Sequence, residues 1–152
     1  MNMAVTYGVD FPFRDSFKGH FVQMTESPER EVRADLIHLI LTRKGSRYYL
    51  PDFGTRLYEF IFEPNDQTTW DLIETEIREA VKNFIPNLDI NSITVTSAED
   101  DTNNQVTPNV LEDERLFRVS DVSTQPYTAV VKIDYTVNNG AFSSSDFIII
   151  NI

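Results

Sequence analysis

Apolar residues recur at helical spacing in two long stretches of this chain and at a period of two in its C-terminal third. From Pro28 to Lys44, Val32, Leu36, Leu39 and Ile40 form one stripe, widened by Ile37 and Leu41, which predicts an amphipathic helix. Ser27 ahead of Pro28 supplies its start, because a serine oxygen can accept from the open N–H groups of a first turn and proline is preset for the first helical position. Gly45 supplies the stop, so Arg43 and Lys44 are expected in the last turn, at the negative end of the helix dipole. A second helix is predicted from Thr68 or Thr69 to Phe84, with Trp70, Ile73, Ile77, Val81 and Phe84 on one face. Asp71, Glu74, Glu76 and Glu79 fall mostly elsewhere, and Pro86 closes the helix. Between the two, Tyr48, Tyr49 and Leu50 read as a short extended piece and Pro51, Asp52 and Gly54 as a turn. Leu57 to Glu63 then reads as a brief helix presenting Leu57, Phe60 and Ile61, stopped by Pro64.

After Pro86 the period changes to two. Leu88, Ile90, Ile93 and Val95 predict a strand with an irregularity at Asn91 or Ser92, where the alternation slips. Residues 98 to 109, AEDDTNNQVTPN, read as an exposed acidic loop, and Leu116, Phe117, Val119 and Val122 permit a strand within 114 to 122, as part of an added hairpin. Ala129, Val131, Ile133, Tyr135 and Val137 alternate with polar residues as a half-buried strand. Asn139 and Gly140 are a hairpin turn signal, and Phe142 to Ile152 the return strand. That last strand carries Ile148, Ile150 and Ile152 on one side and Phe147 and Ile149 on the other, so it is either buried in the sheet or shaped for a partner strand. Residues 1 to 25 hold Tyr7, Phe11, Phe13, Phe17 and Phe21 without sustained periodicity and read as an irregular arm, packed on the chain's own core or on a partner.

Composition narrows the classes. A length of 152 residues with 41% hydrophobic content fits one domain, residues 1 to 152, with a core that needs no staples. The chain has no cysteine, which excludes disulfides, thiolate metal sites and cysteine nucleophiles. No apolar run reaches the length of a membrane helix and no basic n-region leads an apolar segment, so a soluble, unexported chain without membrane insertion is expected. The net charge of −11 argues against nucleic acid as a partner unless cations are segregated on one face. Arg43, Lys44, Arg47 and Arg56 form the one such concentration. Nothing near them resembles a glycine-rich phosphate cradle.

Candidate chemistry is sparse, and the expectation is no catalytic, metal or cofactor site. Glu59 and Glu63, four apart in the predicted short helix, could share a face as a glycosidase carboxylate pair would, although such spacing is common on solvated helices. His20 and His38 belong to no metal-ligand pattern and read as surface or boundary residues. Asp100, Asp101, Asp113 and Asp121 lack the spacing of a calcium loop.

The stretch LTRKGSRYYLPDFGTRLYEFIFEP, the helix DLIETEIREAVKNF and then IPNLDINSITV resemble the small baseplate wedge family of contractile-tailed bacteriophages. Relatives of that family occur in phage-tail-like injection machines and type VI secretion baseplates. The resemblance covers about Leu36 to Val95 and is carried by the spacing of T-R-K-G-S-R, P-x-F-G-x-x-L and F-E; DFPF at 10 to 13 adds to it. Ile85, Pro86 and Asn87 stand where the family commonly has Glu-Pro-Arg, and residues 98 to 126 look inserted relative to shorter members. The resemblance implies an α+β fold: two long helices and a short one packed on one side of a mostly antiparallel sheet that ends in a hairpin. It implies a virion protein of the tail baseplate, assembled in the host cytoplasm. Its implied partners are larger wedge proteins, the tail sheath protein, which would extend the sheet by strand addition, and central hub or tube proteins. The implied interface and motif residues are Arg47, Pro51, Phe53, Gly54, Arg56 and Leu57 in the turn, and Phe147, Ile148, Ile149 and Ile150 in the last strand. A tail-lysozyme label, also carried in this family, supplies the alternative that the chain cleaves peptidoglycan.

Overall fold

The structure, a computed structural model, describes residues 5–11, 13–16, 19–97, 116–118, 129–138 and 143–151. Its elements follow the order β1 (Gly8–Val9), β2 (Met24–Thr25), α1 (Pro28–Leu41), α2 (Leu57–Phe60), α3 (Gln67–Phe84), β3 (Leu88–Ser97), β4 (Leu116–Arg118), β5 (Ala129–Asn138) and β6 (Ser143–Asn151). The fold is α+β, with the two long helices and the short one packed on a four-stranded sheet of order β3-β5-β6-β4. The Asn139–Gly140 turn, the 98–109 loop and most of the 114–122 stretch lie outside the described residues.

The alternating pattern sets the sheet. β5 runs antiparallel to both β3 and β6, and three rows of side chains line up across them: Val95–Val131–Ile150, Ile93–Ile133–Ile148 and Ile90–Tyr135–Asp146. Ile90 and Ile93 differ in parity, so a regular strand would aim them at opposite faces. A register shift between Ile90 and Ser92 absorbs Asn91 and lets both join the core, which is the irregularity the sequence predicts. On the far face where β3 meets β5, Asn91 Nδ2 donates to Thr136 Oγ1 at 2.8 Å and Ser92 Oγ to Asp134 Oδ2 at 2.9 Å. Leu116–Arg118 runs parallel to β6 and pairs with Ile149–Asn151. This three-residue segment is the described part of the stretch expected as an added hairpin, and it pairs with the last strand of the sheet.

On the inner face, Leu36, Ile37, Leu39 and Ile40 of α1 meet Ile73, Ile77, Ala80 and Val81 of α3 and the isoleucines and valines of β5 and β6. Each such leucine, isoleucine or valine taken from water contributes on the order of 1.5–3 kcal/mol. Both helices start at side-chain caps: Ser27 Oγ accepts from Arg30 N, and Asp66 Oδ1 from Thr69 N at 2.9 Å. An ion pair ties α1 to the sheet. Arg33 of α1 donates Nε to Asp146 Oδ2 of β6 at 2.9 Å, and Nη2 to the same oxygen. The Tyr135 hydroxyl lies beside this pair, buried and without a hydrogen bond of ordinary geometry. Burial, and secondarily the Asp146 carboxylate, push its pKa up to about 12.

Two expectations are corrected. α1 stops at Leu41, three residues early, because Thr42 turns extended and gives its carbonyl to Thr55 N instead of to a further helical turn. Arg43 and Lys44 therefore lie outside the last turn, whose one basic residue is His38, and Gly45 belongs to a loop rather than to the cap. α2 likewise ends at Phe60 rather than Glu63. The N-terminal arm carries a small antiparallel pairing, Gly8 with Thr25 and Val9 with Met24, tied to α1 where Thr25 Oγ1 donates to Glu31 Oε2.

Candidate functional site

Thr42 to Thr55 leaves α1 and returns to it as a closed loop. Arg43 and Thr55 form an isolated parallel bridge; Thr55 N donates to Thr42 O at 2.8 Å, Lys44 N to Thr55 O at 2.9 Å, and the buried Thr55 hydroxyl to Ile40 O at 2.7 Å. A second ring closes inside the first, where Gly45 N donates to Pro51 O at 2.7 Å and Phe53 N to Leu50 O at 3.0 Å. This neck requires glycine at 54. Gly54 has φ +112°, and a side chain there would drive into the Thr42 carbonyl. Leu50 is the one described non-glycine residue with positive φ, at 59°.

Behind the loop, Phe53 stacks edge-on with Phe84 of α3 and with His38 of α1, at centroid distances of 5.1 and 5.8 Å. Arg47 folds back over it. Its guanidinium carbon sits 3.9 Å from the Phe53 ring centre, and Nη2 lies 3.0 Å from His38 Nε2. His38 in turn stacks on Phe11 of the arm, at 5.2 Å and 11° between planes. Arg47 can only donate, so His38 accepts as the neutral ring with its proton on Nδ1. Burial first, and then the Arg47 charge, hold its pKa below the ordinary 6.5. On the far side of the loop, Arg56 N and Nη2 donate to Glu76 of α3 at 3.1 and 3.3 Å, and Leu57 enters the core.

The residues singled out in the sequence thus divide. Phe53, Gly54 and Leu57 are packed inward, Arg47 and Arg56 brace the loop against His38 and Glu76, and Pro51 stays exposed. Ile148 and Ile150 are fully buried, and Ile149–Asn151 is flanked on both sides by β5 and β4. Of the two alternatives its sequence leaves open, that stretch is the one buried in the sheet. Glu76, placed on the outer face by sequence reasoning, is buried; its offset of three from Ile73 and one from Ile77 puts it inside the apolar stripe. Sequence reasoning also passed over the outward side of the loop. Tyr48, Tyr49 and Leu50 stand 102, 86 and 60% exposed beside the exposed Arg43 and Lys44. Adjacent tyrosines within a span cornered by Gly45 and Pro51 were the available signal.

Glu59 and Glu63 are both exposed, and Glu63 lies beyond the end of α2 rather than on a shared helical face with Glu59. Among the described residues no three His, Asp or Glu side chains converge as a metal site, and no helix is long and apolar enough to cross a membrane.

The fold and this loop define an α+β domain organised around a braced surface motif. Residues 26–112 match the family described as baseplate wedge protein gp25, and the chain belongs to that family. Over 72 residues it is 38% identical to baseplate wedge protein gp25 of Enterobacteria phage T4, covering 47% of this chain and 54% of that one, so the match spans about half the length of the curated relative. Two solved structures share the fold. A Geobacter sulfurreducens protein provisionally named a tail lysozyme aligns with a TM-score of 0.56 at 19% identity, over 84% of this chain and 93% of its own. A chain of the anti-feeding prophage baseplate aligns with a TM-score of 0.52 at 24% identity, over 59% and 70%.

Proposed function

We propose that this chain is a structural subunit of a contractile-tail baseplate, where it joins larger wedge proteins and supports the first ring of sheath protein. The observation that carries this reading is the family match over residues 26–112, which takes in α1, the braced loop, α2, α3 and β3 as one continuous unit. Strand addition to the sheath is then placed at β3. It ends the sheet, and its outer side pairs with no described strand, whereas β6 is flanked on both sides at Ile149–Asn151. Contacts with hub or tube proteins follow from the same location in the tail, after assembly in the host cytoplasm. Arg47, Arg56 and the Pro51–Gly54 turn act in this reading by holding the loop in shape. A lysozyme needs two carboxylates facing a cleft, and Glu59 and Glu63 are solvated.

Disruption of the gene in the producing cells tests the proposal. Electron microscopy is expected to show tails without sheath or baseplate, restored by the gene in trans. Purified protein is expected to release no reducing sugar from peptidoglycan. Normal sheathed tails after disruption overturn the structural reading, and sugar release lost on Glu59→Gln or Glu63→Gln replaces it with the enzymatic one.

A further inference from the structure

The outward side of the Arg43–Leu50 loop is costly to build and is not packed on the core of the described residues. Two rings of backbone hydrogen bonds close it, Arg47 fixes it to Phe53, and Leu50 is held in a left-handed conformation that a leucine disfavours. All of this presents two tyrosines and a leucine to water. Among the described residues, neither Arg43 nor Lys44 has an ion-pair partner. We propose that this loop is a preformed docking knob for an acidic segment with an apolar seat, carried by a different protein of the baseplate; this rests on the structural reading above.

The chemistry selects the occupant. Tyrosine and arginine are the side chains that carry binding energy at protein interfaces, because they cover large areas with few rotors and retain a polar tip. A loop already rigid loses little entropy on docking. The two exposed cations, in a chain of net charge −11, favour a negatively charged partner locally while the remaining surface repels it, which fixes where such a segment can land. A second copy of this chain is also acidic overall, and the experiment below separates it from a different protein of the baseplate.

Replacing Tyr49 with p-benzoylphenylalanine, illuminating isolated tail particles and mapping the adduct by mass spectrometry tests the inference. The expected adduct joins this chain to another protein, in a peptide where Asp and Glu outnumber Lys and Arg. An adduct to a second copy of this chain, to a neutral or basic peptide, or none in particles that contain the chain overturns the inference and leaves the structural reading standing. Particles that lack the chain overturn both. In a second arm, Arg43→Glu with Lys44→Glu is expected to lower incorporation at least about tenfold at an unchanged melting midpoint, while Arg43→Lys with Lys44→Arg incorporates normally. Equal incorporation of the charge-reversed protein sinks the idea independently.

Discussion

The Thr42–Thr55 loop and strand β6 both drew notice in the sequence for an excess, of cations and aromatics in one and of isoleucines in the other. The structure uses the two excesses in opposite directions. β6 is bonded to β5 along its length and to β4 at Ile149–Asn151, and it turns Ile148 and Ile150 into the core. The loop spends its backbone bonds on closing itself and turns Tyr48, Tyr49 and Leu50 outward. Apolar surplus on a strand can be absorbed by a second neighbour and a covered face. In a short loop ringed by its own hydrogen bonds no neighbour remains to absorb it, and the surplus stays on the surface.

Ile150→Pro breaks the comparison at its strongest point. With Val131 on one side and Phe117 on the other, the proline removes a ladder donor and an isoleucine from the core. A loss of at least about 4 kcal/mol is expected, enough to leave most of the protein insoluble or unfolded by circular dichroism. A folded protein with a near-normal melt would show that β6 is peripheral after all. Next is the Arg33–Asp146 pair, which anchors β6 to α1. Asp146→Ala removes the carboxylate that faces a largely buried guanidinium and is expected to cost roughly 3 kcal/mol in urea denaturation, whereas Arg33→Met with Asp146→Leu should recover much of it. Additive losses in that double variant would mean that the pair is not coupled. Gly54→Val probes the loop neck: φ +112° and the adjacent Thr42 carbonyl predict a loss of about 1–3 kcal/mol, read as a lower urea midpoint. An unchanged midpoint would show that the neck can relax.

The smallest effect is a pH dependence. The folded protein holds the His38 pKa below its ordinary 6.5, so between the two values the unfolded chain binds the extra proton. Stability from this residue is complete above about pH 6.5 and falls as pH drops through the folded pKa. Thermal melts from pH 7 to pH 5 should therefore decline less for His38→Gln than for wild type. Parallel declines would place the titration elsewhere.

Much of this architecture was legible because it rests on period. The stripe of α1, the face of α3, the alternation of β5 and the slipped parity at Asn91 each report one side of an element meeting the core, and local spacing suffices for that. The residues that went astray were decided by partners distant in sequence. Thr42 leaves the helix because Thr55 takes its carbonyl, so Arg43 and Lys44 lose the helix end that local chemistry assigned them. Glu76 is buried because Arg56 and the start of α2 come to it across the loop. The choice left open at Ile150, between a covered strand and one shaped for a partner, turned on Leu116–Arg118, a three-residue strand too short to announce its neighbour.

The strand order also governs how the domain is made. β5 and β6 are joined locally, and such a hairpin closes within about 1–10 μs. β3, by contrast, must wait for a partner roughly forty residues further along, so its half-buried Ile93 and Val95 and its whole hydrogen-bonding edge emerge from the ribosome with no strand to meet them. α3 can shield the apolar side of β3 during that interval, since the two are consecutive and pack together, but it cannot satisfy the edge. The interval between synthesis of β3 and of β5 is thus when a nascent chain is most open to pairing with a neighbour on the same message, and slower translation there should raise the insoluble fraction without any change in the folded protein.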